Sequence, residues 1–297
     1  PSLRFTMSLR VSYRFHLWEY YYMQLMQGQT VIITGAGRGI GASAARLFAQ
    51  HGANVVVSDL DAEPANDVAL DIREQGGEAI AVPGDVNDPD FAPRLMEECI
   101  NKYGILNVLI NNAGYTWDGM IHKMTDKQWD AMQDVHAKAP FRLIRAASPY
   151  MRDAAKQEMA NGEHPVPRCI INVSSTSGLH GNAGQANYSL AKMGIVGLTK
   201  TLAKEWGPFG IRSNAIAYGY IETRLTQDKA QGESIQVDGE DIPLGIPDHL
   251  RGMVNMLIPL GRSGTAEEAA GAMVLLASPL AAYINGHCLE VTGGLGI

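Results

Sequence analysis

Cysteine is scarce in this sequence. Among 297 residues only Cys99, Cys169 and Cys288 occur, odd in number, far apart and without a CxxC pair. That argues against a disulfide framework and a cysteine zinc site. No metal centre is expected, and a reducing compartment such as the cytoplasm fits best. Long apolar runs are missing too, since none approaches the ~18 residues that a membrane-spanning helix needs. Positive charge is in deficit: Lys and Arg number 24 against 31 Asp and Glu, leaving a formal charge of −7. Such a surface is poor at neutralising phosphates, which argues against nucleic acid as the main partner. The chain has no internal repeat and no low-complexity tract.

Glycine, by contrast, is plentiful, with 32 residues, and 46% of the chain is hydrophobic. This is an ordinary composition for a loop-rich α/β protein, and one domain can absorb the length around a substantial core. The first 26 residues stand apart. They hold Arg4, Arg10 and Arg14, a single acid (Glu19) and the run Tyr20-Tyr21-Tyr22. An Arg-rich, acid-poor composition is that of a transit peptide. A chain that starts at Pro1 with Met23 and Met26 downstream reads instead as a non-native or upstream-extended start, and that reading is the expectation. The folded domain is expected over residues 27–297.

From Gln27 onward short β-branched runs alternate with longer amphipathic stretches. Strands are expected at Thr30–Thr34, Asn54–Ser58, Ala79–Val82, Asn107–Ile110, Cys169–Val173, Arg212–Ile216 and Cys288–Val291. Between them lie helical patterns at Ala42–His51, Glu63–Gln75, Phe91–Tyr103, Lys127–Met151, Tyr188–Trp206 and Ala266–Leu276. Strands that are apolar throughout, alternating with helices, imply a parallel sheet covered on both faces. The expected fold is a single-domain, doubly wound α/β (Rossmann) sheet, with its ligand at the carboxyl ends of the strands. Two segments break the rhythm. Ala154–Pro167 is polar and proline-containing and reads as a surface loop. Thr223–Gly264 is long and proline-rich and reads as a substrate loop or lid.

Thr34-Gly35-Ala36-Gly37-Arg38-Gly39-Ile40-Gly41 lies between a strand and a helix. Glycines let backbone turn tightly and approach a pyrophosphate, while the helix N-terminus supplies N–H donors. Asp59, 18 residues after Gly41, ends the second strand, where a carboxylate accepts from ribose hydroxyls and repels a 2′-phosphate. It favours NAD(H). Arg38 points towards NADP(H), since a guanidinium can pair with that phosphate. Asp85-Val86 and Asn111-Asn112-Ala113-Gly114 follow the third and fourth strands, at the ligand edge of the sheet.

Tyr188 and Lys192 are spaced i, i+4 on one helix face. An adjacent ammonium is expected to lower the phenol's ordinary pKa of ~10. Ser175 follows the fifth strand, 13 residues before Tyr188, and can donate to a substrate carbonyl. The three suit a reaction in which a C=O is polarised and protonated while a cofactor delivers hydride.

TGAGRGIG, the NNAG tetrad, NVSS and YSLAK, in this order and spacing, resemble the short-chain dehydrogenases/reductases from Gln27 to the C-terminus. Within that superfamily Gly181–Lys192, Tyr218–Thr226 and Ile258–Arg262 are most similar to 3-oxoacyl-(acyl-carrier-protein) reductases. The resemblance implies that Gly35, Gly39 and Gly41 hold the pyrophosphate, with Arg38 and Ile40 in the same turn. Asp85 and Val86 would border the adenine, and Asn112, Ala113 and Gly114 would line the cofactor. Ile221 and Thr223, after Gly219, would touch the nicotinamide carboxamide. Ser175, Tyr188 and Lys192 would be catalytic.

Three positions depart from the family pattern. His136 stands where an asparagine usually holds a water that passes protons to the lysine. Histidine also binds water and titrates near neutrality, so an altered relay is expected, or else a plain helix histidine. Tyr218 replaces a proline and is expected to stack near the nicotinamide or loosen the turn. Thr292 replaces an aspartate and is expected to alter subunit contacts.

The implied activity is NAD(P)(H)-dependent reduction of a 3-oxoacyl thioester, carried by acyl-carrier protein or CoA, or its reverse. Two alternatives stand beside it: an NAD-dependent dehydrogenase of a free secondary alcohol, ketone, sugar or steroid, and a non-catalytic cofactor-binding regulator. The resemblance also implies a homotetramer. Trp117, His122 and Lys123 are candidates for the substrate mouth, and Met253, Met256, Leu257 and Ile258 for an apolar lid. Arg142, Arg145, Arg152, Lys156 and Arg168 form a basic bias that would suit an acidic carrier or simply face solvent.

Overall fold

The computed structural model describes residues 24–227, 233–237, 239–246 and 248–296. Most of the expected N-terminal extension, residues 1–23, lies outside the described residues. Met26, grouped with that extension by composition, is fully buried, and its N–H donates to His51 O at 3.0 Å.

Seven strands form one parallel sheet in the order β3-β2-β1-β4-β5-β6-β9. They are β1 (Thr30–Thr34), β2 (Asn54–Ser58), β3 (Glu78–Ala81), β4 (Val108–Asn111), β5 (Arg168–Ser175), β6 (Ile211–Tyr218) and β9 (Cys288–Val291). Alternate residues of the central strands feed opposite layers. Val31, Ile33, Val55 and Val57 pack with Ala44, Phe48 and Met273, from α1 (Gly39–Gln50) and α10 (Ala266–Ala277). Ile32, Val56, Leu109 and Ile170 pack on the other face with Phe91, Leu95, Leu143 and Leu202, from α3 (Phe91–Tyr103), α5 (Ala139–Ser148) and α8 (Ala186–Trp206). Two buried layers explain why the strands read as apolar throughout. α2 (Ala62–Glu74) completes the β2–β3 crossover. β1 sits between β2 and β4, so strand order reverses there and a crevice opens at the carboxyl ends.

The expected helix Lys127–Met151 is one stretch of a longer helical run, Asp126–Ala160. It passes through α4 (Asp126–Gln133), a π-turn at Asp134–Lys138, α5, a second π-turn at Pro149–Asp153 and α6 (Ala154–Ala160). Prolines accompany both π-turns. Pro140 has no N–H to return to His136 O, and Pro149 has none for Arg145 O, which accepts from Ser148 Oγ instead at 2.8 Å. The expected surface loop Ala154–Pro167 is therefore corrected. Its first seven residues, AAKQEMA, are good helix formers and continue the run. The chain leaves the helix only at Asn161-Gly162, where Gly162 has φ +81°.

The long loop Thr223–Gly264 carries structure of its own. Its described residues include an antiparallel hairpin of β7 (Ser234–Val237) and β8 (Glu240–Pro243), then α9 (Asp248–Leu257). Ile242 and Leu244 are buried beneath the hairpin. Glu240 pairs with Lys127 at 2.5 Å, tying the hairpin to the start of α4. No helix among the described residues is long and apolar enough to cross a membrane.

Candidate active site

The glycine turn leaves β1 and enters α1. Gly39 has φ +53°, a left-handed conformation that strains other residues. Gly41 is needed for a different reason: a Cβ there would run into Gly35 O. Asn112 braces the turn from β4, its Nδ2 donating to Thr34 O at 2.9 Å and Gly35 O at 3.0 Å. Thr34 Oγ1 in turn accepts from the N–H groups of Asn112 and Ala113, both at 3.1 Å. The Asn112 side chain is thus occupied in shaping the cradle. α1 has no acidic residue in its first turn and no side-chain cap, so its leading N–H groups are available to an anion. The residues fit a dinucleotide, whose diphosphate would lie on Gly35, Gly39, Ile40 and Gly41.

Asp59 stands at the expected corner. Oδ2 accepts from Gly37 N–H at 2.8 Å and Oδ1 from Asp61 N–H at 3.2 Å. Arg38 turns to Asp61 at 2.6 Å. Asp85 is exposed and accepts from Asn87 N–H at 2.8 Å, beside buried Val86. On the opposite wall, Gly219 N–H donates to Val291 O at 3.0 Å, Ile221 bridges to Gly264, and Thr223 lies against Gly39.

The fold brings Ser175, Tyr188 and Lys192 together. Ser175 ends β5 and caps the short helix α7 (Thr176–His180), accepting from Ser177 N–H at 3.1 Å while hydrogen-bonding the Tyr188 phenol. Lys192 is buried; Nζ donates to Val173 O at 2.7 Å and lies 5.5 Å from the Tyr188 ring centroid. A polar seam fixes α8 over β5: Asn172 Nδ2 donates to Thr199 Oγ1 at 2.9 Å and Ser174 Oγ to Lys192 O at 2.7 Å.

The electrostatics differ from expectation. The Tyr188 phenol is pushed up to about 12, chiefly by desolvation; Ser175 pulls it down and the Asp118 carboxylate raises it further. The expected lowering by Lys192 is not found. Lys192 itself is pulled down to about 7 by burial.

His136 is 3% exposed and edge-on to Tyr188, with ring centroids 5.0 Å apart. Nε2 is 2.7 Å from Tyr115 O. A carbonyl only accepts, so Nε2 carries the hydrogen and Nδ1 is the acceptor, with no partner among the described residues. Burial first, then the Lys192 charge, hold the ring neutral well below its ordinary range, so titration near neutrality is not found. Gly114 leaves room for this ring, because a Cβ there would collide with Cε1.

The expectation for Tyr218 is corrected. Tyr218 does not face the cofactor crevice. It packs with Ile216 in the layer shared with α10, and its hydroxyl donates to Ala269 O at 2.7 Å. Thr292 Oγ1 accepts from Gly294 N–H at 3.1 Å and so shapes the C-terminal turn. The basic bias is largely consumed internally. Arg168 pairs with Glu158 at 2.7 Å, Arg152 with Asp153 at 2.6 Å, and Arg142 donates to Asn87 O at 2.6 Å. Arg145 lies over Phe141. Met253, Met256 and Leu257 are exposed, whereas Ile258 is buried, touching the site of Gly293. His122 and Lys123 sit in an exposed turn; Trp117 is half-buried under Lys127.

Three further residues of the site were given no role by the sequence, although Gln185 and Asn187 lie within Gly181–Lys192. Asp118 accepts from Gln185 Nε2 at 3.0 and 3.2 Å and acts on Tyr188. Asn187 is fully buried; Nδ2 donates to Trp117 O at 3.1 Å and Gln128 O at 2.9 Å, and Oδ1 accepts from Tyr188 N–H at 2.8 Å. Asn187 lies inside ANYSLAK, one residue from the tyrosine, and that adjacency is the only trace it leaves in the sequence.

A dinucleotide cradle at the switch point, with a serine, tyrosine and lysine converging beside it, defines a nicotinamide-dependent oxidoreductase acting on CH–OH groups and their carbonyl counterparts. Comparison with known proteins identifies the group. A family model described as enoyl-(acyl carrier protein) reductase matches residues 35–296. The 3-oxoacyl-(acyl-carrier-protein) reductase FabG of Thermotoga maritima is 36% identical over 272 residues, covering 92% of this chain and 99% of that protein. The 3-oxoacyl-(acyl-carrier-protein) reductase of Synechocystis sp. is 36% identical over 275 residues, 92% and 99% of the two chains, and FabG of Vibrio cholerae is 33% identical over 270 residues, 91% and 98%. The chain belongs to the short-chain dehydrogenase/reductase family.

Proposed function

We propose that the protein interconverts a 3-oxoacyl thioester and its 3-hydroxyacyl form. The observation that supports this reading is the convergence of Ser175 and Tyr188 at the carboxyl edge of the sheet that also carries the glycine turn. When bound, the nicotinamide supplies hydride to the carbonyl carbon. Ser175 donates a hydrogen bond to the carbonyl oxygen, and Tyr188 O–H gives its proton to that same oxygen as negative charge develops there. A serine and a tyrosine on one oxygen suit a carbonyl better than a C=C bond, whose second proton must reach carbon. Lys192 supports the phenolate left behind. His136, through its free Nδ1, holds a water on the route by which Lys192 is reprotonated. The thioester is inferred from the relatives, which are 3-oxoacyl-(acyl-carrier-protein) reductases, with acyl-carrier protein or CoA as carrier, and the cytoplasm as compartment.

NAD(H) is the preferred cofactor in this reading. Asp59 and Asp61 put two carboxylates at the adenosine ribose corner, and Asp61 neutralises Arg38, a group suited to a 2′-phosphate. One observation favours the free-alcohol or sugar alternative: the mouth carries the Asp118–Gln185 pair, which suits hydroxyls and repels an anionic carrier.

The test is the initial rate of acetoacetyl-CoA reduction, followed by cofactor absorbance, with NADH and NADPH in parallel. A clear rate, faster with NADH, is expected, and Asp59→Ala is expected to weaken NADH use more than NADPH use. Cofactor binding without any thioester turnover moves the substrate to a free alcohol or ketone.

A further inference from the structure

We propose that Arg224 grips the dinucleotide: its guanidinium closes the start of the substrate loop onto the cofactor's diphosphate at the glycine turn. The inference rests on the cofactor reading above and adds to it a residue of Tyr218–Thr226 to which the resemblance assigns no role. Arg38, Gly39, Arg224, Glu233 and Ser234 line a cavity of about 500 Å³. Arg38 and Gly39 belong to the glycine turn. The other three come from the segment after β6 and from the base of the β7–β8 hairpin. The two walls meet closely, since a Cβ placed on Gly39 would stand 3.4 Å from Thr223 Cγ2. The next residue, Arg224, is therefore delivered beside the first turn of α1.

Charge in this cavity is unbalanced on one side. Arg38 already has a carboxylate, Asp61, at 2.6 Å. Arg224 makes no ion pair and no side-chain hydrogen bond among the described residues. It faces a helix start with no acidic residue in its first turn and no side-chain cap. A partly covered guanidinium and a helix N-terminus at one cavity both favour an anion, and a guanidinium binds phosphate oxygens through paired N–H donors. Glu233 on the hairpin side repels an anion, which confines it to the side of Gly39 and Arg224. Gly39 lines the cavity and Asp59 does not, while Arg38 is already taken by Asp61, so the phosphate argued for is the diphosphate shared by NAD(H) and NADP(H) rather than the 2′-phosphate.

The test measures binding, not turnover. Dissociation constants of NADH and NADPH are read by cofactor fluorescence, and those of ADP and adenosine by calorimetry, for the full chain, Arg224→Gln and Arg224→Lys. Arg224→Gln is expected to weaken NADH, NADPH and ADP alike by about tenfold, with adenosine unchanged and a shallower salt dependence of NADH binding. Arg224→Lys is expected to recover part of the loss and to melt at the parent temperature. Unchanged NADH and ADP affinity in Arg224→Gln overturns the proposal. So does a loss confined to NADPH, which assigns the arginine to the 2′-phosphate. Normal cofactor affinity with a raised KM for acetoacetyl-CoA also overturns it, by assigning the arginine to a substrate phosphate. If the parent protein binds neither dinucleotide, the cofactor reading itself falls, and this proposal with it.

Discussion

Burial sets the chemistry of both Tyr188 and Lys192. Desolvation keeps the phenol protonated, up to about 12, and brings the lysine down to about 7. A tyrosine so placed is an acid in waiting, and removing its hydroxyl removes the proton. Tyr188→Phe is expected to reduce turnover to a few per cent or less while the dissociation constant for NADH changes less than twofold, since the ring and its edge contact with His136 remain. Substantial residual activity in this variant would take the proton-donor role away from Tyr188. The pH dependence follows from Lys192. Its pKa is depressed, so on raising pH the folded protein loses this proton at about 7, well before the unfolded chain does. Between those limits the unfolded state binds more protons, and the contribution of Lys192 to stability rises with pH. Activity runs the other way. Carbonyl reduction needs the ammonium behind Tyr188, so kcat is expected to fall as pH rises through about 7, and the reverse oxidation to rise. The other titratable group against Lys192 is His136, which burial holds neutral across this range. A reduction profile flat from pH 6 to 9 would exclude Lys192 as the controlling group.

At the scale of elements, much of the site depends on how α8 begins. Asn187 ties its first turn to the Trp117 carbonyl and to α4 through Gln128, and Gln133 Nε2 returns the bond to Asn187 O at 2.9 Å. Removing a fully buried amide takes one donor from each of the Trp117 and Gln128 carbonyls. Asn187→Ala is expected to cost about 2–3 kcal/mol in denaturant unfolding and to lower kcat more than it raises KM, because Tyr188 is the next residue. A loss of stability with kcat intact would make Asn187 a purely structural tie. What was legible in the sequence divides along the same line. The glycine turn, Asp59 and the Tyr188/Lys192 pair are encoded by spacing along one element or across one crossover, and period and position recover them. Asp118–Gln185 and the Asn187 network join segments about 60 residues apart or more, and no local pattern announces them. The neutral state of His136 is set by burial, which residue type does not reveal. The orientation of Tyr218 was readable, since alternation in β6 places it on the face of Ile216. The sheet was legible because its strands are apolar on both faces; the β7–β8 hairpin was hidden among prolines and charges in a segment read as loop.

At the scale of the whole molecule, the same sheet leaves surfaces that a single chain does not cover. β9 ends the sheet order, with no further strand beyond it among the described residues. On α8, Leu190 and Met193 are 52% and 51% exposed, and a Cβ at Gly194 or Gly197 would meet no atom within 4 Å. α5 adds Phe141, 46% exposed. Small residues between large apolar ones let another helix approach closely, and exposed apolar faces of this kind mark protein–protein contacts. The expected partner is another copy of the chain, meeting α5 and α8 helix to helix and β9 edge to edge in a homotetramer. Such an assembly would also steady the site, because the buried side of α8 carries Lys192 and Asn187 while its exposed side faces the neighbour. Met193→Glu puts a charge at the centre of that contact. Light scattering is expected to give a tetrameric mass for the parent protein and a dimeric or monomeric mass for the variant, with turnover reduced as α8 loosens. A parent mass corresponding to one chain would remove the assembly altogether, and a tetramer unmoved by Met193→Glu would place the contact on another face.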